Sequence, residues 1–494
     1  MNPVFVLAIA GYAAALWAAG LGLKRRPGSL DSFFLASREL SASRVAFSLC
    51  ASWIGAASLL VSTDEACRDG LSAFWIVGLP AVATLLILTG LTRPIRAVAG
   101  LTPSELMRRH YGRTAGLLTT VLVVWYMTVL AASQMVAAGP FLGAFLKTGP
   151  LPSLALAAAI VMVYSAAGGL RAVARTHVLQ IGLLVAGLAA MVVSLASRTT
   201  WGAVREAASA SGKAGYFDPL SGGGRNALIA LSFVLAWTIS PIAWQRMQAA
   251  RGERESRLGT SGAALLLGVF YLGIVAAGML FLPLFPGGAA GAPLVTRFIG
   301  QEPSTPLSGL LFVTVLAAIL STMDAALNAG AFTLTKDLLG RPSGSGTGGR
   351  PLVLARIATL ALALAALLIA ARLGDILKTL GLASTIMAEG LLVPGIAALF
   401  LKRRAPLAGL LALIGGGGYA LLSFLADSGF PILSVPPWPW SLPLGVAIGA
   451  AGFAAGLLLG KTGDTHKESM SPAPESGPRS DGPRLDISPE IVKR

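Results

Sequence analysis

Charge is scarce in this chain. Asp, Glu, Lys and Arg make up 12% of its 494 residues, while 55% are hydrophobic and the mean hydropathy is +0.74. A soluble globular domain carries about 25% charged residues, so the shortage excludes that class and leaves a polytopic membrane protein. Cysteine is nearly absent as well. Cys50 and Cys67 are the only two, and they fall on one predicted helix about 25 Å apart at 1.5 Å per residue, too far to bridge each other. No HExxH, no well-placed G-x-S-x-G and no nucleophile beside a base occurs, which argues against an intramembrane enzyme. No basic residue precedes the first apolar run, and "KRR" follows it, so this run reads as a retained anchor and not as a cleaved signal peptide.

What the chain does hold is apolar length. Thirteen runs are long enough to span a bilayer at roughly 20 residues each: 3–22, 45–66, 72–92, 115–146, 152–168, 174–196, 226–245, 259–285, 308–335, 352–371, 375–401, 405–426 and 440–460. The net charge of +16 is spread along the chain and forms no patch, which excludes nucleic acid as a partner. With the N-terminus outside and the C-terminus cytoplasmic, 29 of the 38 Lys and Arg residues fall on the cytoplasmic side. The positive-inside rule therefore supports this orientation in a cell (inner) membrane.

Two runs are interrupted. The second span holds "CASWIGAAS" and the seventh holds "AWTISPIAW", with Gly55 and Pro241 at similar depth. Five spans separate them in order, the spacing that two inverted five-helix repeats produce, each opening with a broken helix. Ordinary packing notches and kinks are the alternative. The expected organisation is an extra helix and cytoplasmic loop at 1–44, a first repeat at 45–196 and an extracellular segment at 197–225. A second repeat at 226–401, two C-terminal helices at 402–460 and a disordered cytoplasmic tail at 461–494 follow. Within it, "WGAVREAASASG" predicts a surface helix and "GRPSGSGTGGR" a flexible linker.

The ninth span carries "AAILSTMDAALNAG", unusually rich in oxygen. Ala318, Ser321 and Thr322 fall at i, i+3 and i+4, on one helix face. Two hydroxyls and a carbonyl offer hard, uncharged ligands for a weakly held alkali cation. The alternative is that both hydroxyls bond back to carbonyls one turn earlier. Asp324 lies at the same depth, where a carboxylate must be protonated, paired or facing water; it either borders a pathway or packs between helices. Glu389 is a second acid near mid-span, with a proton, a cationic solute group or a polar neighbour as its candidate partners. Asp64, Glu65, Arg68 and Asp69, at a helix end, read as a solvated or gate-lining cluster.

Five stretches, in order, resemble the sodium:solute symporter family: "DSFFLASREL" (31–40), "LTPSELMRRHYG" (101–112), "YSAAGGLRAVARTHVLQ" (164–180), "WQRMQAARGERESR" (244–257) and "LSTMDAALNAGAFTLTKDL" (320–338). The resemblance implies an all-α, leucine-transporter-like core. It also implies a sodium site made by the carbonyls of Ala51, Ile54 and Ala318 with the hydroxyls of Ser321 and Thr322. His177 stands where the family usually has an aspartate, and Trp53 where several relatives have Asp or Asn, which puts a second sodium in doubt. An interfacial His among Arg171 and Arg175 is the plain reading of His177, and a proton-responsive group the functional one. Ala57 and Ser58 occupy positions where sugar-carrying relatives have Glu and Gln. A pocket with Trp53, Ser58, Trp125, Tyr126, Gln134, Trp237 and Ser240 suits a small, partly apolar solute.

The expected function is sodium-coupled symport of an amino acid or carboxylate, with no cofactor beyond the coupling ion. His177, Asp324 and Glu389 are the coupling or gating candidates. A proton-coupled symporter of the same fold and a transporter-like sensor are the alternatives; the 34 residues after Gly460 carry no kinase-like pattern.

Overall fold

The computed structural model describes residues 2–21, 34–98, 102–289, 291–339, 350–401, 403–427 and 435–460. The predicted linker at 340–350 falls almost entirely outside these residues, and the predicted tail lies wholly outside them. In chain order the helices are α1 (Pro3–Leu21), α2 (Ala42–Trp53), α3 (Ser62–Asp69), α4 (Gly78–Gly90), α5 (Thr92–Ala97), α6 (Pro103–Tyr111) and α7 (Arg113–Leu146). Then come α8 (Pro150–Ala196), α9 (Trp201–Ala210), α10 (Gly223–Thr238), α11 (Pro241–Ala249), α12 (Glu253–Leu284) and α13 (Leu294–Gln301). The last are α14 (Pro306–Leu339), α15 (Arg350–Ala370), α16 (Ile376–Thr385), α17 (Leu392–Phe400), α18 (Pro406–Asp427) and α19 (Leu442–Leu459). This is an all-helical polytopic membrane protein.

Both predicted breaks occur. Helix α2 stops at Trp53, residues Ile54 and Gly55 are non-helical, and a π-helical turn at Ala57–Val61 leads into α3. Helices α10 and α11 form the second broken element, bent by 43° across Ile239 and Ser240. Pro241 opens α11, where its missing N–H falls among the amides that a helix start leaves without a partner.

Thirteen spans are not confirmed. Among the described residues nine helices are long and apolar enough to cross a membrane, or ten if the bent pair counts as one. The expected spans 152–168 and 174–196 differ most, because they run as one continuous 47-residue helix, α8. No proline or cap interrupts "GLRAV" (169–173), so helical bonding continues through the stretch read as a connection. The expected surface helix at Trp201 forms, with Thr200 accepting from the Ala203 amide. The connection between α12 and α14 also contains a helix, α13, that its sequence did not suggest.

Hydroxyls inside the apolar helices mostly bond back to their own turns, as Thr63 does to Leu59 O at 2.6 Å and Thr333 to Ala329 O at 3.1 Å. Such local bonds let Ser and Thr lie in an apolar interior without a tertiary partner. Hydroxyls that depart from this habit are therefore informative.

Candidate functional site

Helix α14 is among the most buried elements, and its centre faces the first break. Ala318 and Ser321 are fully buried, and the Ser321 hydroxyl donates to the Ala318 carbonyl at 3.1 Å. Thr322, 5% exposed, makes no such bond: its Oγ1 has no hydrogen-bond partner. A methyl added at Gly55 would lie 3.0 Å from that Oγ1, so the two chains meet there.

The break releases backbone carbonyls on the facing side. The Ser58 amide bonds to Gly55 O at 3.1 Å instead of to Ile54, and the Ala56 amide turns to Gln134 Oε1 at 2.9 Å. Ala51 and Ile54, 0% and 1% exposed, flank this break. Trp53 O receives the hydroxyls of Ser58 at 3.2 Å and Tyr271 at 3.3 Å. The unpartnered Thr322 hydroxyl thus stands at the break of α2, and a neutral hydroxyl oxygen of this kind is a donor that suits a hard monovalent cation.

One cavity adjoins this junction. Its lining includes Trp53, Ser58, Tyr126, Gln134, Trp237 and Ser240, six of the seven residues expected around a solute pocket, together with Gly55 and Thr322. Trp125 is not among them; its ring packs edge-on to Phe424 at 5.1 Å. The rings of Trp53 and Trp237 lie 5.3 Å apart, and Trp237 stacks on Phe233 at 5.0 Å. The Tyr126 hydroxyl bonds to Ser240 at the second break, and Ser58 meets Tyr271 OH at 2.6 Å. No Asp, Glu, Lys, Arg or His lines the cavity. Its volume is about 30 Å³, room for a water or two and not for an organic solute.

Below the sodium-type residues lies a buried polar belt that the sequence only partly revealed. His177 is fully buried, which corrects the interfacial placement. Its Nδ1 lies 3.0 Å from Ser48 Oγ, and its ring stands beside the Ser321 backbone and within the field of Arg246. Arg246 is the residue that sequence reasoning did not single out. One of the basic residues counted toward the cytoplasmic side, it is fully buried, donating to Ile242 O at 3.3 Å and Gln245 Oε1 at 3.0 Å. Asp324, also fully buried, is the opposite charge in its field and also acts on Tyr12. Asn328 has a partner too: Gln245 Nε2 donates to its Oδ1 at 3.1 Å and to Phe34 O at 2.8 Å. Gln180 donates to Tyr12 OH at 3.0 Å. The signal for Arg246 was Asp324, whose depth required a counter-charge.

At the opposite end, the Asp64 cluster is half-buried and not simply solvated. Asp64 Oδ1 accepts from the Leu294 amide at 2.8 Å, holding the start of α13. Arg68 bridges Glu65 and Asp69. Glu389 lies apart from all of these. It is 1% exposed and not part of the cavity lining.

Comparison with known proteins fits this geometry. Over 452 residues the chain is 26% identical to the sodium/glucose cotransporter of Vibrio parahaemolyticus, covering 81% of this chain and 80% of that one. It is 25% identical over 332 residues to the sodium/proline symporter of Staphylococcus aureus (strain Newman), 64% of each. Its fold superposes on a Na+-coupled sialic acid symporter, solved in a substrate-bound outward-open state, with a TM-score of 0.79 at 16% identity. That match covers 94% of this chain and 99% of the other. The fold is thus the leucine-transporter-like core with two broken helices. Residues 33–416 match the sodium:solute symporter family, and the chain belongs to it.

Proposed function

We propose that this protein is a sodium-driven symporter that imports a small organic solute, an amino acid or carboxylate rather than a sugar, by alternating access. One observation carries the reading. Thr322, whose hydroxyl has no other partner, stands at the break of α2 and also lines the cavity between the two breaks. Sodium held by Ala51, Ile54, Ala318, Ser321 and Thr322 would therefore fix the wall of the solute pocket itself. The lining favours a compact, partly apolar solute. Trp53 and Trp237 supply apolar area, while Ser58, Tyr126, Gln134 and Ser240 supply a few hydrogen bonds. A sugar needs more polar partners than these.

Coupling follows from differential affinity, since an ion moves a conformational equilibrium only by binding one state better. Sodium bridging α2 and α14 favours the form in which the inner belt of His177, Arg246 and Asp324 stays packed. Losing sodium frees that side to loosen and release both cargoes. The N-terminus faces outside and the C-terminus the cytoplasm of the inner membrane, in line with the distribution of Lys and Arg.

Uptake into proteoliposomes under an inward sodium gradient is the test, with solutes first screened by thermal shift with and without sodium. Sodium-dependent uptake is expected. Uptake indifferent to sodium but abolished by a proton uncoupler would overturn the sodium assignment.

A further inference from the structure

Glu389 belongs neither to the cavity nor to the inner belt. It stands on the π-helical turn Ile386–Leu391, near the middle of the span Ile376–Phe400, and is 1% exposed. Neither carboxyl oxygen has a hydrogen-bond partner. An unpartnered carboxylate at such depth is costly, and carboxyl groups kept there are functional by default. Single π turns inside α-helices also concentrate at functional sites.

Its surroundings are specific. The Glu389 carbonyl lies against Gly416 of α18 and Gly449 of α19, and its carboxyl against Gly445, where a methyl would overlap Cδ and Oε2. Three hydroxyl oxygens are buried nearby: those of Tyr419 and Ser423, neighbours on α18, and that of Ser441 at the start of α19. Tyr419 follows Gly416 by three residues, and Ser441 precedes Gly445 by four. Tyr419 and Ser441 therefore each share a helix face with a glycine that meets Glu389. Tyr419 is the titratable neighbour within its field. Other charges on the packed helices are at their ends: Lys378 pairs with Asp427 at 3.2 Å, while Arg113 and Arg225 stand in the first turns of α7 and α10.

We propose that Glu389, with the hydroxyls of Tyr419, Ser423 and Ser441, is a proton-binding site separate from the sodium site, loaded and unloaded as α16 and α17 move against α18 and α19. A proton suits it better than an alkali ion. The carboxyl presses on Gly445 where not even a methyl fits, whereas a metal ion needs several oxygens and a space of its own. In the packed form the acid is neutral and keeps its proton. When the helices part and water enters, the O–H bond breaks, the proton passes to water as hydronium, and a carboxylate remains. Reclosure reverses the step.

The proposal rests on the transport reading, and two measurements on the full-length protein in lipid separate them. The first is infrared difference spectroscopy of wild type against Glu389→Gln. A protonated carboxylic C=O stretch is expected in wild type and missing in the variant, and its absence from the difference overturns the site. The second is sodium-22 exchange at equal sodium, without solute, from acidic to alkaline pH. Wild type is expected to vary by up to about tenfold per pH unit, the slope of one proton, and Glu389→Gln to be flat. Identical profiles overturn the proposal. Tyr419→Phe and Ser441→Ala, which keep the acid, should shift the C=O frequency; an unmoved band in both removes the hydroxyls from the site. A carboxylic band with no sodium exchange in wild type overturns the transport reading and leaves the proton site standing.

Discussion

Gln134 accepts the Ala56 amide at 2.9 Å, so a side chain of α7 takes the hydrogen bond that the broken helix withholds from its own backbone. Its Nε2 donates in turn to Ser133 Oγ at 3.0 Å. This one amide group fixes the break against the neighbouring helix while also lining the cavity. Replacing it with Ala leaves a buried N–H without an acceptor, a loss of about 1–3 kcal/mol. Gln134→Glu keeps an acceptor and should retain more stability. Thermal unfolding of both variants, in lipid, gives the ranking.

Sodium affinity should depend on Thr322 through its hydroxyl alone. Thr322→Val keeps the shape, and a weakening of at least about tenfold, or roughly 1.4 kcal/mol, is expected in the sodium titration of the melting temperature. Thr333, on the same helix but bonded to Ala329 O, supplies the control. Thr333→Val should leave the titration where it is. Equal responses of the two variants would remove Thr322 from the ion site.

Gly55 tolerates no side chain. A methyl there would lie 2.7 Å from Gln134 Oε1 and 3.0 Å from Thr322 Oγ1, closer than real contacts allow, in a core that transmits strain. Gly55→Ala is expected to fold, because most of the bundle is untouched, but to lose both sodium and solute responses together. Loss of only one would show that the ion and the cavity are less closely joined than their shared wall implies.

Arg246 and Asp324 are fully buried charges of opposite sign, and Asp324 lies within the field of Arg246. Removing either charge should destabilise the protein, by up to about 3–5 kcal/mol, because the other loses an opposite charge in an interior where water does not compensate. The double variant Arg246→Met with Asp324→Leu should recover much of that loss. A double-mutant cycle on unfolding midpoints reads the coupling, and additive losses would separate the two residues. Transport in the double variant should stay low even where stability returns, because the inner side no longer has its polar fastening.

Much of this site was legible because membrane helices permit few irregularities. Gly55 and Pro241 marked the two breaks, and the spacing of Ala318, Ser321 and Thr322 put three oxygens on one face. The fate of each hydroxyl was not legible: Ser321 bonds back within its turn and Thr322 does not, a difference set by what α2 presents across the gap. Arg246 was not singled out because a basic residue near a helix end usually points to water. Helix α8 was misread because "RAVARTH" resembles a charged connection, although nothing in it stops a helix and Thr176 and His177 are fully buried. Helix α13 is only eight residues long and gains its start from Asp64, some 230 positions away, a relation no local pattern can carry.

The cavity of about 30 Å³ has a bearing on how affinity should be read. A site this tight must widen to hold an organic solute, and the apparent dissociation constant is then the intrinsic one divided by the population of the widened form. Substitutions that trim Trp53 or Trp237 would then tighten binding of bulkier solutes without any new contact. Solute preference would be set as much by the free energy of parting two indole rings as by the groups that touch the cargo.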